Sequence, residues 1–259
     1  MTEMMTLITQ LTGIGQNLLW VGFLVFLRVS AAIALLPAFG EQAVPQRVKL
    51  VLALMFTAVV APAVNAEVVV IKFGSVTPFV TEIISGVIIG VGLRFFIYAL
   101  QIAAAIIAQA TTISQLFAGT GPDPQPVFGN ILVMAGIALA LASGMHLRVT
   151  ELLIISYNML PTGQFPGASD VADWGLHQVS QAFSLGFSLA APFVVASFIY
   201  NVAIGVINRA MPSLMVSFIG APALAAGGLL LFAVVAPILL SVWLTALEAY
   251  YVMPFQVAP

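Results

Sequence analysis

Residues 76–118 read VTPFVTEIISGVIIGVGLRFFIYALQIAAAIIAQATTISQLFA, an apolar run with only two charged side chains, Glu82 and Arg94. The run exceeds the roughly 20 apolar residues with which a helix crosses about 30 Å of hydrocarbon. Further apolar segments of the same character cover residues 18–39, 50–71, 127–160, 174–208 and 213–253. The pattern predicts an all-α membrane protein with about six long apolar helices.

The composition of the whole chain agrees with this class. The 259 residues are 62% hydrophobic and 6% charged, whereas soluble domains carry about 25% charged residues. So few charges cannot cover the surface of a soluble globule of this size, which excludes a free cytosolic enzyme. The formal net charge of −2 excludes a nucleic-acid-binding face. The chain has no cysteine for a disulfide, a thiolate metal site or thiol catalysis.

Several of the apolar segments are too long for one membrane span. As a helix, residues 127–160 would be about 50 Å long, because a helix rises about 1.5 Å per residue. Internal breaks are predicted at Arg94, residues 144–151, Pro192, Pro222 and Pro237. Proline removes a backbone donor, and in lipid the freed groups need neighbouring protein or water. The sequence therefore predicts kinked or folded-over helices inside a larger assembly, in one membrane domain over residues 1–259.

Charged side chains inside the apolar segments are functional candidates, because ionisable groups are rare in membrane helices. The candidates for buried charges are Arg28, Glu82, Arg94, Arg148, Glu151 and Glu248. A proton relay would use carboxylates such as Glu82. The alternative is that pairs of Arg and carboxylate fix helix packing, or that some of these residues lie outside lipid. Arg148 and Glu151 are one helical turn apart and can pair with each other.

Polar side chains recur at helical spacing in two of the apolar segments. One stripe consists of Gln178, Gln181, Ser184, Ser188, Ser197, Asn201 and Asn208, and a shorter one of Gln101, Gln109 and Thr112. Such stripes face water or neighbouring helices rather than lipid, so they favour helix–helix contact and pore lining equally. Gly86 and Gly90 form a G-x-x-x-G pattern, which predicts close approach of two helices.

No catalytic or nucleotide-binding motif occurs in the chain. It lacks a phosphate-binding loop, a H-E-x-x-H zinc motif, a nucleophile elbow and a dinucleotide fingerprint. Asp170, Asp173 and His177 could share a helix face and hold a metal ion. Ser169 or Asp170 is better explained as a helix N-cap, with early acids at the positive end of the helix dipole. The sequence predicts no enzyme, no cofactor and no metal.

A segment rich in glycine and proline joins the third and fourth apolar segments. It reads GTGPDPQP over residues 119–126, and its apolar flanks are Leu116, Phe117, Val127 and Phe128. Such a segment is common as a plain connector. Bulky apolar residues at a constriction can also block ions by excluding water. Ordinary helix packing is the alternative for the phenylalanines.

Short motifs follow one another in a distinctive order between residues 18 and 244. They are Leu27-Arg28, Leu36-Pro37, VPQRVKL at 44–50, Asp123-Pro124, GMH at 144–146, SY to LPTG at 156–163, NRAMPSL at 208–214 and FIGAP at 218–222. In their order and spacing the chain resembles the FliR family of flagellar export-gate proteins, whose injectisome relatives are the SctT proteins. The central loop is more compact than in many members, and Met211-Pro212-Ser213 replaces the commoner Ala-Pro-Gln.

The resemblance implies a function that composition does not show. FliR-like proteins assemble with FliP-like and FliQ-like subunits into a closed helical channel for unfolded flagellar subunits. Their kinked helical hairpins are largely raised above the membrane plane that hydropathy indicates. The implied location is the flagellar basal body in the bacterial inner membrane, in contact with lipid and with FlhB-like and FlhA-like components.

The resemblance also implies a channel plug, which corresponds here to about Ser114 to Phe128. Its seal candidates are Leu116, Phe117 and Phe128. The full set of plug and seal residues is Gln115, Leu116, Phe117, Gly119, Gly121, Pro122, Asp123, Pro124, Val127 and Phe128.

Two other functions follow from the residues alone. A small-solute secondary transporter would use intramembrane charges such as Glu82, because buried charges and broken helices mark substrate sites in transporters. No clear internal repeat supports that alternative. A pure assembly scaffold would differ from a gate only if changes in the central loop left leak and export unaffected.

Overall fold

A computed structural model describes residues 2–64, 76–111, 127–211 and 216–255. These residues form α-helices and no strand. The helices are α1 (Thr2–Leu35), α2 (Gln46–Ala63), α3 (Thr77–Ala110), α4 (Val127–Ala142), α5 (Met145–Met159), α6 (Ala168–Ala210) and α7 (Val216–Val252). The prediction of an all-α chain of long apolar helices is confirmed.

Several of these helices have the length and composition of membrane spans. Within the described residues, 4 helices can cross a membrane by these criteria: α2, α3, α6 and residues Ala223–Val252 of α7. The pair of α4 and α5 passes the same test as one broken span. The chain is therefore an all-α membrane protein, with spans that differ widely in length.

Glycine divides the fourth apolar segment into two helices. Gly144 lies between α4 and α5 with a φ of 89°, in the left-handed region that glycine adopts without a steric penalty. The other predicted breaks do not divide their helices. α3 continues through Arg94, α6 through Pro192, and α7 through Pro222 and Pro237. A proline removes only one bond from the ladder of a long helix, and Arg94 bonds outside its own helix.

The chain forms two compact units. Unit 1 contains residues Met1–Arg94, Gly144–Gly175 and Pro254–Val257, and unit 2 contains Phe95–Ser143, Leu176–Met253 and Ala258–Pro259. The division falls inside α3 and inside α6, so neither unit is one continuous stretch of sequence. That the whole chain acts as a single export-gate domain stays a prediction.

In unit 1, α1 and α3 approach each other closely at two glycines. A Cβ atom on Gly86 would collide with the carbonyl oxygen of Arg28, and one on Gly90 would lie 2.8 Å from the carbonyl oxygen of Ala32. Residues without a side chain let two helix backbones come this close. The close contact expected from the G-x-x-x-G pattern is therefore the contact between α1 and α3.

Replacing Gly86 by Ala should destabilise the contact between α1 and α3. Overpacking of this kind typically costs about 1–3 kcal/mol. Gly22→Ala is the matched control, because nothing lies within 4 Å of a Cβ atom at Gly22 on α1. Both variants gain helix propensity of about 1 kcal/mol, so their difference isolates the collision. We expect a lower midpoint of thermal unfolding for G86A than for G22A, and equal midpoints would contradict the packing described.

One basic side chain bonds the carboxyl end of α1, and a second bonds the loop that follows it. Arg94 Nη1 donates a hydrogen bond to the carbonyl oxygen of Leu35 at 3.3 Å and lies 3.7 Å from Glu41 Oε1. Lys49 Nζ donates to the carbonyl oxygen of Gly40 at 2.9 Å. Cations at this end of a helix complement its dipole and bond its free carbonyl groups. Arg94 was predicted to break its own helix, α3. Instead, its side chain caps the carboxyl end of α1.

In unit 2, a buried tryptophan joins α7 to α3. Trp243 Nε1 donates to the carbonyl oxygen of Phe96 at 2.8 Å, and the side chain is 1% exposed. A buried indole N–H needs such a partner. Gly136 of α4 makes room beside this contact, because a Cβ atom there would lie 2.5 Å from Leu100 Cδ1. α3, α4 and α7 therefore share one core in this unit.

Candidate functional site

A buried ion pair joins α1 to α3 in unit 1. Arg28 Nε donates to Glu82 Oε2 at 2.8 Å, and Arg28 Nη2 donates to Glu82 Oε1 at 2.8 Å. Both side chains are 0% exposed. The planar guanidinium matches the two carboxylate oxygens, and such two-point pairs are among the stronger hydrogen-bonded contacts in proteins.

The remaining polar groups of the pair are satisfied by α5 and the loop after it. Arg28 Nη1 donates to Ser156 Oγ at 2.9 Å, and Nη2 donates to the carbonyl oxygen of Leu160 at 2.7 Å. The hydroxyl of Tyr157 donates to Glu82 Oε2 at 3.1 Å, and that of Thr162 donates to Oε1 at 2.8 Å. Each carboxylate oxygen thus accepts two hydrogen bonds. The Arg28 cluster comprises Arg28, Glu82, Ser156, Tyr157, Leu160 and Thr162.

The hydrogen bonds of the Arg28 cluster connect three helices, α1, α3 and α5, and the loop after α5. Arg28 Cζ lies 3.6 Å from the centroid of the Tyr157 ring, close enough for a cation–π contact. The same loop is held by Gly163, whose N–H donates to Thr81 Oγ1 at 3.0 Å. A buried charge pair persists only when its hydrogen-bonding groups are satisfied in this way. The geometry favours helix packing over a proton relay as the role of Glu82.

The other candidate charges lie in different surroundings. Arg94 is half-buried at the end of α1. Arg148 and Glu151 pair at 3.2 Å, but their side chains are 59% and 60% exposed, and Glu248 on α7 is also exposed. Arg148, Glu151 and Glu248 are therefore not buried by this chain itself, and their burial in an assembly stays a prediction. The buried residues of α5, such as Val149 and Leu152, occupy the opposite face of that helix.

Most of the predicted polar stripe on α6 is exposed. Gln178 is buried and Ser197 half-buried, whereas the exposed members are Gln181, Ser184, Ser188, Asn201 and Asn208. Large apolar side chains of α6 are exposed as well, with Phe187 at 59% and Phe198 at 68%. On α3, Gln101 and Gln109 are exposed, and Thr112 lies outside the described residues. α6 therefore presents a mixed surface of polar and bulky apolar side chains.

The predicted plug lies mostly outside the described residues. This holds for Gln115, Leu116, Phe117, Gly119, Gly121, Pro122, Asp123 and Pro124. Val127 and Phe128 are the first two residues of α4 by their backbone, and their side chains lie outside the description. The plug and its apolar seal stay predictions.

The acids near the start of α6 have a structural explanation. α6 begins at Ala168, so Ser169 and Asp170 lie inside its first turn rather than at the N-cap, and the predicted cap was two or three positions too late. An acid in the first turn still complements the helix dipole. In the part of the chain that the structure describes, no group of three or more His, Asp or Glu side chains could hold a metal ion.

Three hydroxyl side chains of the Arg28 cluster had no predicted role. Ser156, Tyr157 and Thr162 fall within the SY to LPTG motif of residues 156–163. A hydroxyl buried in apolar surroundings needs a hydrogen-bond partner. The grouping of three hydroxyls at the end of an apolar segment was therefore a signal for a buried polar site, although it did not indicate which charge they would meet.

Known proteins of similar sequence cover almost the whole chain. Residues 19–250 match the family described as bacterial export proteins, family 1. The flagellar biosynthetic protein FliR of Caulobacter vibrioides is 33% identical over 231 residues, which cover 86% of this chain and 91% of that protein. The flagellar biosynthetic protein FliR of Escherichia coli is 33% identical over 232 residues, covering 86% of this chain and 88% of that protein.

A relative with a different name matches a shorter part of the chain. The Yop proteins translocation protein T of Yersinia pestis is 30% identical over 146 residues, covering 54% of this chain and 56% of that protein. The family match extends over the residues of the Arg28 cluster and of the polar stripe. The chain therefore belongs to family 1 of the bacterial export proteins and is a FliR-type membrane component of an export apparatus.

Proposed function

We propose that this chain is a non-enzymatic subunit of the flagellar type III export gate, where it forms a closed helical channel with FliP-like and FliQ-like subunits. The gate passes unfolded flagellar subunits through the bacterial inner membrane at the basal body. FlhB-like and FlhA-like components are its further neighbours. The energy for export comes from other components, because the chain has no nucleotide-binding motif. The observation that carries this proposal is the exposed surface of α6.

α6 is too long and too exposed for lipid to cover it. Its 43 residues span about 65 Å, roughly twice the hydrocarbon thickness of about 30 Å. Only 11% of its most apolar stretch is buried within the chain. Between Asp173 and Arg209 it has no charged side chain, so water does not cover it either. Helices of companion subunits fit a surface of this length and composition.

The polar stripe on the same helix also supports companion subunits. Gln181, Ser184, Ser188 and Asn201 are exposed among bulky apolar side chains. Small and polar residues are typical of contacts between membrane helices, where they allow close approach and hydrogen bonding. Asn201 Nδ2 donates to the carbonyl oxygen of Ser197 in its own helix at 2.8 Å, but lipid would offer the exposed polar groups of the stripe no further partner. The hydrogen-bonding groups of the stripe would all be satisfied if one part of it faced a water-filled channel and another part faced a neighbouring helix.

The segment between α3 and α4 supplies the plug in this proposal. Leu116, Phe117 and Phe128 form an apolar constriction, because bulky apolar side chains in a narrow pore exclude water and ions. The glycines and prolines between them, Gly119 to Pro124, shape the loop. A passing polypeptide displaces this loop, whereas a small ion cannot.

The transporter alternative has no support in the described geometry. A carboxylate that carries protons or substrate needs access to water or to a cavity. Glu82 is 0% exposed, and both of its oxygens are occupied by hydrogen bonds from Arg28, Tyr157 and Thr162. The role that fits these contacts is a structural one.

Substitution of Ser184 by Phe tests whether α6 is packed against other subunits. A phenyl ring there would hold a neighbouring helix away, at a cost of about 1–3 kcal/mol, whereas on a lipid-facing helix Phe is favourable. We expect S184F to lower several-fold the FliP-like and FliQ-like protein recovered with the tagged chain from native membranes. Ser184→Ala, which keeps a small side chain, is the control and should retain both partners. Equal recovery for the two variants would argue against packing at this position.

A further inference from the structure

α2 is closer in length to the thickness of the bilayer hydrocarbon core than α3, α6 and α7 are. Its 18 residues extend about 27 Å, close to the hydrocarbon thickness of about 30 Å. The 34 residues of α3 and the 37 of α7 extend about 51 and 56 Å at the same rise per residue. Among these helices, α2 is the one that lipid could cover from end to end.

The outward side of α2 is entirely apolar beyond its first turn. Its exposed large side chains, here called the α2 apolar face, are Val48, Leu50, Val51, Leu54, Met55 and Val59, each 46–62% exposed. After Lys49 the only polar side chain of the helix is Thr57, which is buried and donates to the carbonyl oxygen of Ala53 at 2.6 Å. This face therefore offers a partner no hydrogen bond, in contrast to the exposed stripe on α6.

The other side of α2 is covered by its own unit. Ala53, Thr57 and Val60 are buried, and the helix packs against α1 and α5. The ring of Phe56 meets that of Phe39 at 6.0 Å between centroids. One side of α2 is thus covered by protein, and the other side is apolar and exposed. This is the arrangement of a membrane-spanning helix at the lipid-facing edge of a protein.

A free cation stands at one end of this apolar face. Arg47 is exposed in the first turn, and it has no ion-pair partner within the described residues. Lys49 beside it is occupied by the carbonyl oxygen of Gly40. Basic side chains at the end of a membrane helix reach the phosphates of the headgroups. From Arg47 to Met55 the helix rises about 12 Å, which is close to half of the hydrocarbon core.

We propose that α2, rather than α6, is the surface of this chain that contacts lipid in the assembled gate, with the α2 apolar face against acyl chains and Arg47 at the phosphate headgroups. The inference rests on the proposed gate, because only there do other subunits and lipid compete for the exposed helices. It goes beyond hydropathy, on which α6 is the more apolar span of the two.

Single cysteines test the inference directly, because the chain has none of its own. Met55→Cys, Arg47→Cys and, as the matched position on α6, Phe187→Cys are labelled with bimane in the tagged chain. The complex with its partner subunits is purified and placed in phosphatidylcholine–phosphatidylglycerol nanodiscs. Two quenchers are used: bromine on the middle of the acyl chains and a nitroxide on the headgroups.

We expect roughly a two-fold loss of bimane emission at Met55→Cys with brominated chains, since that label sits within the hydrocarbon core. Arg47→Cys should lose emission mainly with the headgroup nitroxide, and Phe187→Cys should change little with either. An unquenched label at Met55→Cys in the intact complex would overturn the inference, as would equal quenching at Phe187→Cys. Loss of the partner subunits from the unlabelled tagged chain would instead contradict the proposed gate, and gel analysis of the same samples separates the two failures.

Discussion

Arg28→Leu is expected to abolish accumulation of the chain in the membrane, and the double variant Arg28→Leu/Glu82→Leu is expected to restore most of it. The single substitution leaves the Glu82 carboxylate buried at 0% exposure without its cation. Removing one partner of a buried pair typically costs about 3–5 kcal/mol. Since native proteins are stable by only about 5–15 kcal/mol, a loss of this size leaves little folded protein.

The double variant shows whether R28L is harmful because it leaves Glu82 unpaired or because the chain needs a charge at position 28. Replacing both partners by apolar side chains of similar volume is often nearly neutral, because neither leaves an unpaired charge behind. Tyr157 and Thr162 would each lose an acceptor, so recovery should be large but incomplete. The amount of tagged chain in isolated membranes and its thermal midpoint in detergent measure both effects.

Arg28→Lys is the informative control for geometry. Lysine keeps the charge but cannot bridge both oxygens of Glu82 while also reaching Ser156 and Leu160. Its accumulation should therefore fall between that of the wild-type chain and that of R28L. If R28L and the double variant accumulated equally well, the Arg28 cluster would not be the fastening between α1, α3 and α5.

Deleting residues 115–125 is expected to make the membrane leaky to small ions while the gate still assembles. The deletion removes Leu116 and Phe117, two of the three side chains of the apolar constriction proposed to exclude water from the channel. Dewetted apolar constrictions act as barriers to hydrated ions, so their loss should open a continuous aqueous path. Potassium efflux from cells that express the full set of gate proteins measures the leak.

A milder pair of variants supports the interpretation of the deletion. Leu116→Ser/Phe117→Ser keeps the length of the segment but makes its flank polar, and it should also leak. Thr120→Ser changes the same segment without altering its polarity and should remain tight. A gate that stays sealed after the deletion, with FliP-like and FliQ-like subunits still bound, would show that the central segment is not the plug.

The long apolar runs were enough to predict the helices, because hydropathy and length are properties of each segment alone. Gly144, which divides an apolar segment within the described residues, was visible for the same local reason. The predicted breaks at Arg94 and Pro192 failed because a long helix tolerates one missing bond, and because the Arg94 side chain bonds the end of α1.

The pairing of Arg28 with Glu82 could not be read from sequence spacing. The two residues are 54 positions apart, and the hydroxyls that complete the cluster come from 128 to 134 positions after Arg28. Several carboxylates inside apolar segments were equally eligible as partners. The exposure of individual charged side chains could not be predicted from the sequence either. Arg148 and Glu151 belong to an apolar segment but lie on the exposed face of α5, and tertiary packing decides which face of a helix is exposed.

Companion subunits, not lipid, are expected to cover the exposed length of α6. Affinity purification of the tagged chain from native membranes in mild detergent, followed by imaging of the particles, tests this expectation. We expect a defined complex that contains FliP-like and FliQ-like subunits, with their helices packed along Gln181 to Asn208. A chain that purifies alone, with detergent along the whole of α6, would contradict it.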